Sequence, residues 1–102
     1  MAIQLRIYET KPGQLDNWAR QVDTRVRQLR AEHGFEILAA WKEVDGSRFV
    51  WVVEHAGDEA DFEAADQAYY ELEAHKPLHE EALNYLVGST AFFVQRAGVP
   101  SD

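Results

Sequence analysis

Five consecutive apolar residues, Phe49-Val50-Trp51-Val52-Val53, sit inside a strand-like run. Side chains alternate faces along a strand, so an unbroken apolar run requires both faces of its sheet to be covered. A chain of 102 residues has room for only two or three helical stretches beside its strands, enough to roof one face of a small sheet. The second face is therefore expected to pack against another subunit.

The rest of the pattern supplies the elements. Ile3-Gln4-Leu5-Arg6-Ile7-Tyr8-Glu9 alternates with period two and predicts a strand, closed by Thr10-Lys11-Pro12-Gly13. Leu15, Trp18, Ala19, Val22, Val26 and Leu29 then recur at helical spacing, with Asp16, Arg20, Asp23, Arg27 and Arg30 elsewhere on the cylinder. This long amphipathic helix should end near His33-Gly34, where glycine suits a left-handed cap. Two strand-like runs follow, Phe35 to Glu43 and Arg48 to Glu54, joined by Asp45-Gly46, a dipeptide suited to a two-residue hairpin turn. That turn sets Trp41 opposite Val50, Ala40 opposite Trp51 and His55 opposite Glu36. One face would carry Ile37, Ala39, Trp41, Val50 and Val52, the other Leu38, Ala40, Phe49, Trp51 and Val53.

Asp58 with Asp61 three residues on marks a helix start, and Phe62, Ala65, Tyr69 and Leu72 continue it. Pro77 interrupts helix at the residue before it and opens a short third helix carrying Leu78, Ala82, Tyr85 and Leu86. Gly88 is expected to cap that helix, and Thr90 to Gln95 to form the last strand. The predicted order is strand, helix, strand, strand, helix with a short extra helix, strand. This is the α+β, ferredoxin-like arrangement: a four-stranded antiparallel sheet with helices on one face. With both sheet faces apolar, two such sheets packed face to face would make a dimeric α+β barrel. Residues 1–97 form the single expected domain, and 98–102 a loose tail.

Composition narrows the possible partners. The net charge of −8 disfavours nucleic acid and anionic membranes. No segment approaches the roughly 20 apolar residues a membrane span needs. There is no cysteine, which removes thiolate chemistry and cysteine-ligated metals. A cytoplasmic location is the default expectation, because the start runs straight into a strand pattern. Phosphate loops, nucleophile elbows and HExxH spacing are absent from the sequence.

The motifs Leu5-Arg6-Ile7-Tyr8 with Lys11-Pro12-Gly13, His33-Gly34-Phe35, Trp41, Phe49-Val50-Trp51 and Ala68-Tyr69-Tyr70 occur together, in order, across almost the whole chain. In them the chain resembles the NIPSNAP family, a branch of the dimeric α+β barrel superfamily. The resemblance implies the same fold and a homodimer, and no family-wide catalytic set to carry over. Relatives by fold include cofactor-independent monooxygenases, haem-degrading oxygenases and small-molecule cyclases, which hold the ligand between helices and sheet. By that analogy a small apolar or aromatic ligand is implied, and no cofactor.

Chemistry could come from several side chains, each with a plainer structural reading. Arg6 and Tyr8 share one face of the first strand; Arg6 could anchor an anionic oxygen and Tyr8 donate a proton, or the two could be an ion-paired residue and a core residue. Trp41 and Trp51 could wall an aromatic ligand or fill core and interface. Tyr69 continues the apolar stripe of the second helix, so its hydroxyl could reach a pocket. His55 could be a base oriented by Glu36 or half of an ion pair, and His75 lies in the irregular segment where pocket rims commonly sit. His75 and His79 have metal-binding spacing, but Pro77 between them spoils it, and no metal is expected. Asp58-Glu59 through Asp66 and Glu80-Glu81 read as solvated faces. The candidates are thus Tyr8, His55 and His75 for catalysis, and Arg6, Trp41, Trp51 and Tyr69 for binding. Two function classes follow: a cofactor-independent enzyme of proton transfer, cyclisation or oxygenation, or a non-catalytic dimeric module that binds a ligand or a protein. A haem-degrading activity would need an imidazole aimed at a haem-sized cleft.

Overall fold

A computed structural model describes residues 1–98; apart from Gly98, the tail expected over 98–102 lies outside them. Strand β1 (Ala2–Thr10) leads to α1 (Leu15–Gln21), which runs through a π turn (Val22–Val26) into α2 (Arg27–Glu32). Strands β2 (Phe35–Lys42) and β3 (Arg48–His55) follow. Helix α3 (Glu59–Tyr70), a 3-10 turn (Glu73–His75), α4 (Lys76–Ala82) and β4 (Leu86–Val94) complete the fold. The sheet order is β2-β3-β1-β4 and every pairing is antiparallel, which is the ferredoxin-like topology the sequence pattern predicts.

The apolar run of β3 divides as a strand must. Phe49, Trp51 and Val53 are buried under the helices, whereas Val50 and Val52 point to the other face and are half-buried. In β1 the same division places Ala2, Gln4, Arg6, Tyr8 and Thr10 under the helices, with Gln4 opposite Val53, Arg6 opposite Trp51 and Tyr8 opposite Phe49 of β3. Leu5 and Ile7 join Val50 and Val52 on the opposite face, as expected. That face stays open: Trp41 is 54 % exposed and Phe92, opposite Leu5, is 48 % exposed.

Four expectations need correction. The β2 to β3 register does give Trp41 opposite Val50 and Ala40 opposite Trp51, but it shifts between Ile37 and Ala39. The bulge turns Ile37 to the helix face, opposite Val53, and moves His55 opposite Phe35 instead of Glu36. The hairpin is also wider than two residues. Only Asp45 takes a left-handed φ, of 57°, and the ladder closes where the Glu43 N–H donates to the Arg48 carbonyl at 2.8 Å. Third, α4 stops at Ala82 and β4 begins at Leu86, so Gly88 lies inside a strand rather than at a helix cap. Pairing with β1 explains this, since Gly88 sits opposite Glu9 and Leu86 opposite Thr10. Fourth, Asp66 is no solvated helix residue, as described below.

The helix boundaries themselves follow local chemistry. Asp58 and Asp61 form a reciprocal capping box, with the Asp61 N–H donating to Asp58 Oδ1 at 2.9 Å and the Asp58 N–H to Asp61 Oδ2 at 3.0 Å. Pro77 sits in the first turn of α4. Gly34 ends α2 with φ +85°, a conformation that L side chains avoid, and an added Cβ would lie 3.1 Å from His55 Nε2. Gly34→Ala is therefore expected to lower stability by more than about 1 kcal/mol, read as a shift of the urea midpoint at unchanged slope.

Candidate functional site

The π turn shapes the site. Its five-residue hydrogen bond, from the Arg27 N–H to the Val22 carbonyl, widens the helix so that Val22, Val26 and Arg30 keep in line above the sheet. An arginine thereby enters the apolar stripe, and Arg30 is only 2 % exposed. Opposite it, β1 brings up Arg6, at 5 % exposed, and α3 supplies Asp66 and Tyr70.

These groups form one network. Arg6 donates to Asp66 Oδ2 at 2.9 Å, to the Tyr70 hydroxyl at 2.6 Å and to Gln4 Oε1 at 2.6 Å. Arg30 donates to Asp66 Oδ1 at 2.7 Å and to the same Tyr70 hydroxyl at 3.2 Å. One carboxylate thus divides its two oxygens between two guanidinium groups, and one phenol oxygen accepts from both. The Arg30 guanidinium also stacks 3.8 Å above the Tyr69 ring and 4.6 Å from that of Phe35. Burial opposes the charge on Arg6, but the oxygens of Tyr8, Tyr70 and Asp66 outweigh it and hold the guanidinium above its ordinary pKa.

Beside this network lies a cavity of about 220 Å³ between helices and sheet. Tyr8, Trp18 and Trp51 make its floor and one wall, with ring centroids 5.1 Å apart for Tyr8–Trp18 and 5.8 Å for Tyr8–Trp51. Arg30, Tyr69, Tyr70 and His75 make another, and Leu78, Ala82, Leu83 and Leu86 enclose it. Tyr70, His75 and His79 also line an outer depression with Lys76 and Glu80, so the cavity approaches the surface between α3 and α4. Its volume lies below the usual range for drug-sized ligands, which suits a molecule of one or two rings and not a porphyrin.

Several residues of the lining carry buried polar atoms without partners. Trp18 Nε1, Trp51 Nε1, Arg30 Nε, the Tyr69 hydroxyl and Gln21 Oε1 are buried with no hydrogen-bond partner. All five belong to residues that line this one cavity. Gln21 is held by its other amide atom, Nε2, which donates to the Leu78 carbonyl at 3.1 Å. Burial pushes the Tyr69 hydroxyl up to about 12 and raises that of Tyr8 as well, so both are neutral proton carriers at neutral pH. Burial, helped by the nearby Arg30 charge and His79, lowers the pKa of His75, whose ring packs 4.9 Å from Tyr69 and from Tyr70. A neutral imidazole there can accept a proton.

Of the residues predicted from sequence, Tyr8, Trp51, Tyr69 and His75 meet at this cavity. Arg6 lies behind Tyr70, engaged with Gln4 and Asp66. Trp41 stands on the open sheet face, and His55 packs at the sheet end on Phe35 at 4.7 Å. Sequence reasoning missed Trp18, Gln21, Arg30, Asp66 and Tyr70. Arg30 was assigned to the polar side of its helix and Asp66 to a solvated face; both are corrected by the Arg6–Asp66–Arg30 bridge. A signal existed, because Arg30 falls four residues after Val26 and Asp66 four after Phe62, each in line with its apolar stripe.

An antiparallel four-stranded sheet with helices on one face, an aromatic cavity between them and an open apolar reverse face together define a ferredoxin-like α+β domain. The sequence model described as "Antibiotic biosynthesis monooxygenase" matches residues 1–81, and the chain belongs to that family. Among solved structures it is similar to an uncharacterised NIPSNAP domain protein from Burkholderia xenovorans, at 12 % identity over 100 % of both chains with TM-score 0.82. A NIPSNAP family protein from Agrobacterium tumefaciens is 11 % identical, with 95 % of this chain and 93 % of that one covered, at TM-score 0.79. An antibiotic biosynthesis monooxygenase structure is 14 % identical over 95 % and 99 % of the two chains, at TM-score 0.67. At these identities the likeness is one of fold, and the NIPSNAP resemblance read from the motifs holds at that level. No curated protein matches the chain in sequence. No helix among the described residues is long and apolar enough to cross a membrane.

Two stability predictions follow from the network. Asp66→Asn leaves two buried guanidinium groups without a countercharge and should lower stability by about 3–5 kcal/mol, whereas Arg30→Met, which leaves the Arg6–Asp66 pair intact, should cost less; urea denaturation of both variants compares them. For His75 the folded pKa is depressed, so below about pH 6.5 the unfolded chain takes up a proton that the folded chain resists. Wild type should therefore lose stability as pH falls through that range, and His75→Phe should lose less; equal acid sensitivity in the two would refute the assignment.

Proposed function

We propose that this chain is a homodimeric enzyme that binds a small apolar or aromatic metabolite between helices and sheet. It acts on that metabolite without a resident cofactor, by proton transfer, by cyclisation, or by oxygenation with dioxygen as the co-substrate and oxidant. The carrying observation is that every buried side-chain polar atom found without a partner among the described residues belongs to a residue that lines one aromatic cavity. Buried polar groups are ordinarily paired, and such a concentration supports a missing ligand. Trp18, Trp51 and Tyr8 would sandwich the ring system, the neutral His75 would take a proton from it, and Tyr69 would donate a hydrogen bond to the oxygen where charge develops.

Membership of the monooxygenase family supports the oxygenation branch, and the dimer rests on the open sheet face. Leu5, Ile7, Trp41, Val50, Val52 and Phe92 form an apolar layer with no described helix over it, the surface on which a second sheet would close a barrel. A non-catalytic dimeric binding module is the alternative reading. It draws support from Arg6, which is committed to Gln4, Tyr70 and Asp66 and has little left to offer a substrate. His55, far from the cavity in this fold, would serve in neither reading.

Native mass spectrometry of the protein from its own cells should show a dimer carrying a small organic molecule, and Val52→Glu should yield monomer. Once that molecule is identified, turnover should fall by about 100-fold or more in His75→Ala with little change in ligand affinity. Unchanged turnover would refute the catalytic role of His75, and a monomeric wild type would refute the barrel.

A further inference from the structure

The lining of the cavity has a polarity as well as a shape. Residues that line it carry five buried unpaired atoms, three of which can only donate: the indole N–H groups of Trp18 and Trp51 and Arg30 Nε–H. The Tyr69 hydroxyl can donate, and only Gln21 Oε1 is confined to accepting. Trp18, Gln21, Arg30, Trp51 and Tyr69 are each at most 5 % exposed, so no bulk water is at hand for these atoms.

Charge points the same way. Arg6 and Arg30 share the single carboxylate of Asp66, leaving one positive charge in excess beside the cavity. None of the residues that line the cavity is acidic, although the chain as a whole carries −8. Glu80 is the carboxylate of the adjoining outer depression, where Lys76 stands with it. His75, neutral when its pKa is lowered, adds no charge. A chain this acidic that keeps acidic groups off one enclosed surface, and spends two buried arginines next to it, has a site electrostatically set against cations.

Building on the reading of this cavity as the ligand site, we infer that it selects a planar organic monoanion, an aromatic acid or an ionised enol or phenol. The anionic oxygen would lie on the Arg30 side of the cavity, among the residues that carry the unpaired donors. A neutral carbonyl would accept from those donors but leave the excess charge uncompensated, while cations would add repulsion. The second acceptor site of the ligand would lie away from Gln21, whose Oε1 instead asks for a donor such as a ring hydroxyl or N–H.

Calorimetric titration of the full chain with two matched sets tests this: benzoate against benzamide, and 2-naphthoate against 2-naphthamide and 2-naphthylmethylammonium. The carboxylate of a set should bind about tenfold or more tightly than its amide, with the ammonium weakest. In Arg30→Met the preference for carboxylate should collapse while the amide still binds, and Arg30→Lys should restore part of it. If amide and carboxylate bind equally in wild type, or if Arg30→Met keeps the preference, the anion inference is overturned and the aromatic cavity stands. If no member of either set binds, the cavity is no ligand site and both readings fall together. The wild-type comparison holds even if a variant does not fold.

Discussion

The carboxylate of Asp66 is the interaction on which the site depends. Burying one guanidinium is expensive, and this fold buries two within reach of each other. Asp66 makes that possible by giving one oxygen to Arg6 on β1 and the other to Arg30 on α2, while Tyr70, one turn further along α3, accepts from both. Three elements distant in sequence are thereby fixed at hydrogen-bond precision, which apolar packing alone does not impose. The aromatic rings around the cavity hang from those same elements: Tyr8 follows Arg6 by two residues, Tyr69 precedes Tyr70, and Trp51 pairs with Arg6 across the sheet.

A second constraint is the doubly apolar sheet. The helices bury the centre of one face, with Val53 of β3 and Phe62 of α3 at 0 % exposure, and have no length left for the other. The polar network sits on the covered face and the aliphatic layer on the uncovered one. Such a division leaves a small domain an apolar face by which association would add core, while the cavity is built within the single chain. It also explains how the two tryptophans of the hairpin, ten residues apart, come to have different surroundings: an even separation would share a face within a regular strand, but they lie on different strands with odd offset in the pairing, Trp51 inward and Trp41 outward.

The π turn connects the helix to the site. The widened turn precedes Arg30, which lies over the sheet and stacks on Tyr69 and Phe35. Irregular turns of this kind store a less favourable hydrogen-bond geometry, and here the compensation is a charge placed where the fold otherwise has only hydrocarbon.

Periodicity along the chain determined the number, type and order of elements, the ferredoxin-like topology, and the central hairpin register, because strand and helix periods are local and each apolar stripe must face a core. Tyr8, Trp51, Tyr69 and His75 were legible as site residues for the same reason: each lies on, or just after, an inward stripe. Tertiary structure alone decided the rest. The bulge between Ile37 and Ala39 shifts His55 against Phe35, the ladder with β1 extends β4 back to Leu86, and the convergence of Arg6, Arg30 and Asp66 draws two charges that read as solvated, with the Arg6 that read as an anchor or ion-paired residue, into a buried bridge. Local patterns report which side of an element a residue occupies, whereas a bulge, a ladder or an ion pair exists only once a second element has arrived.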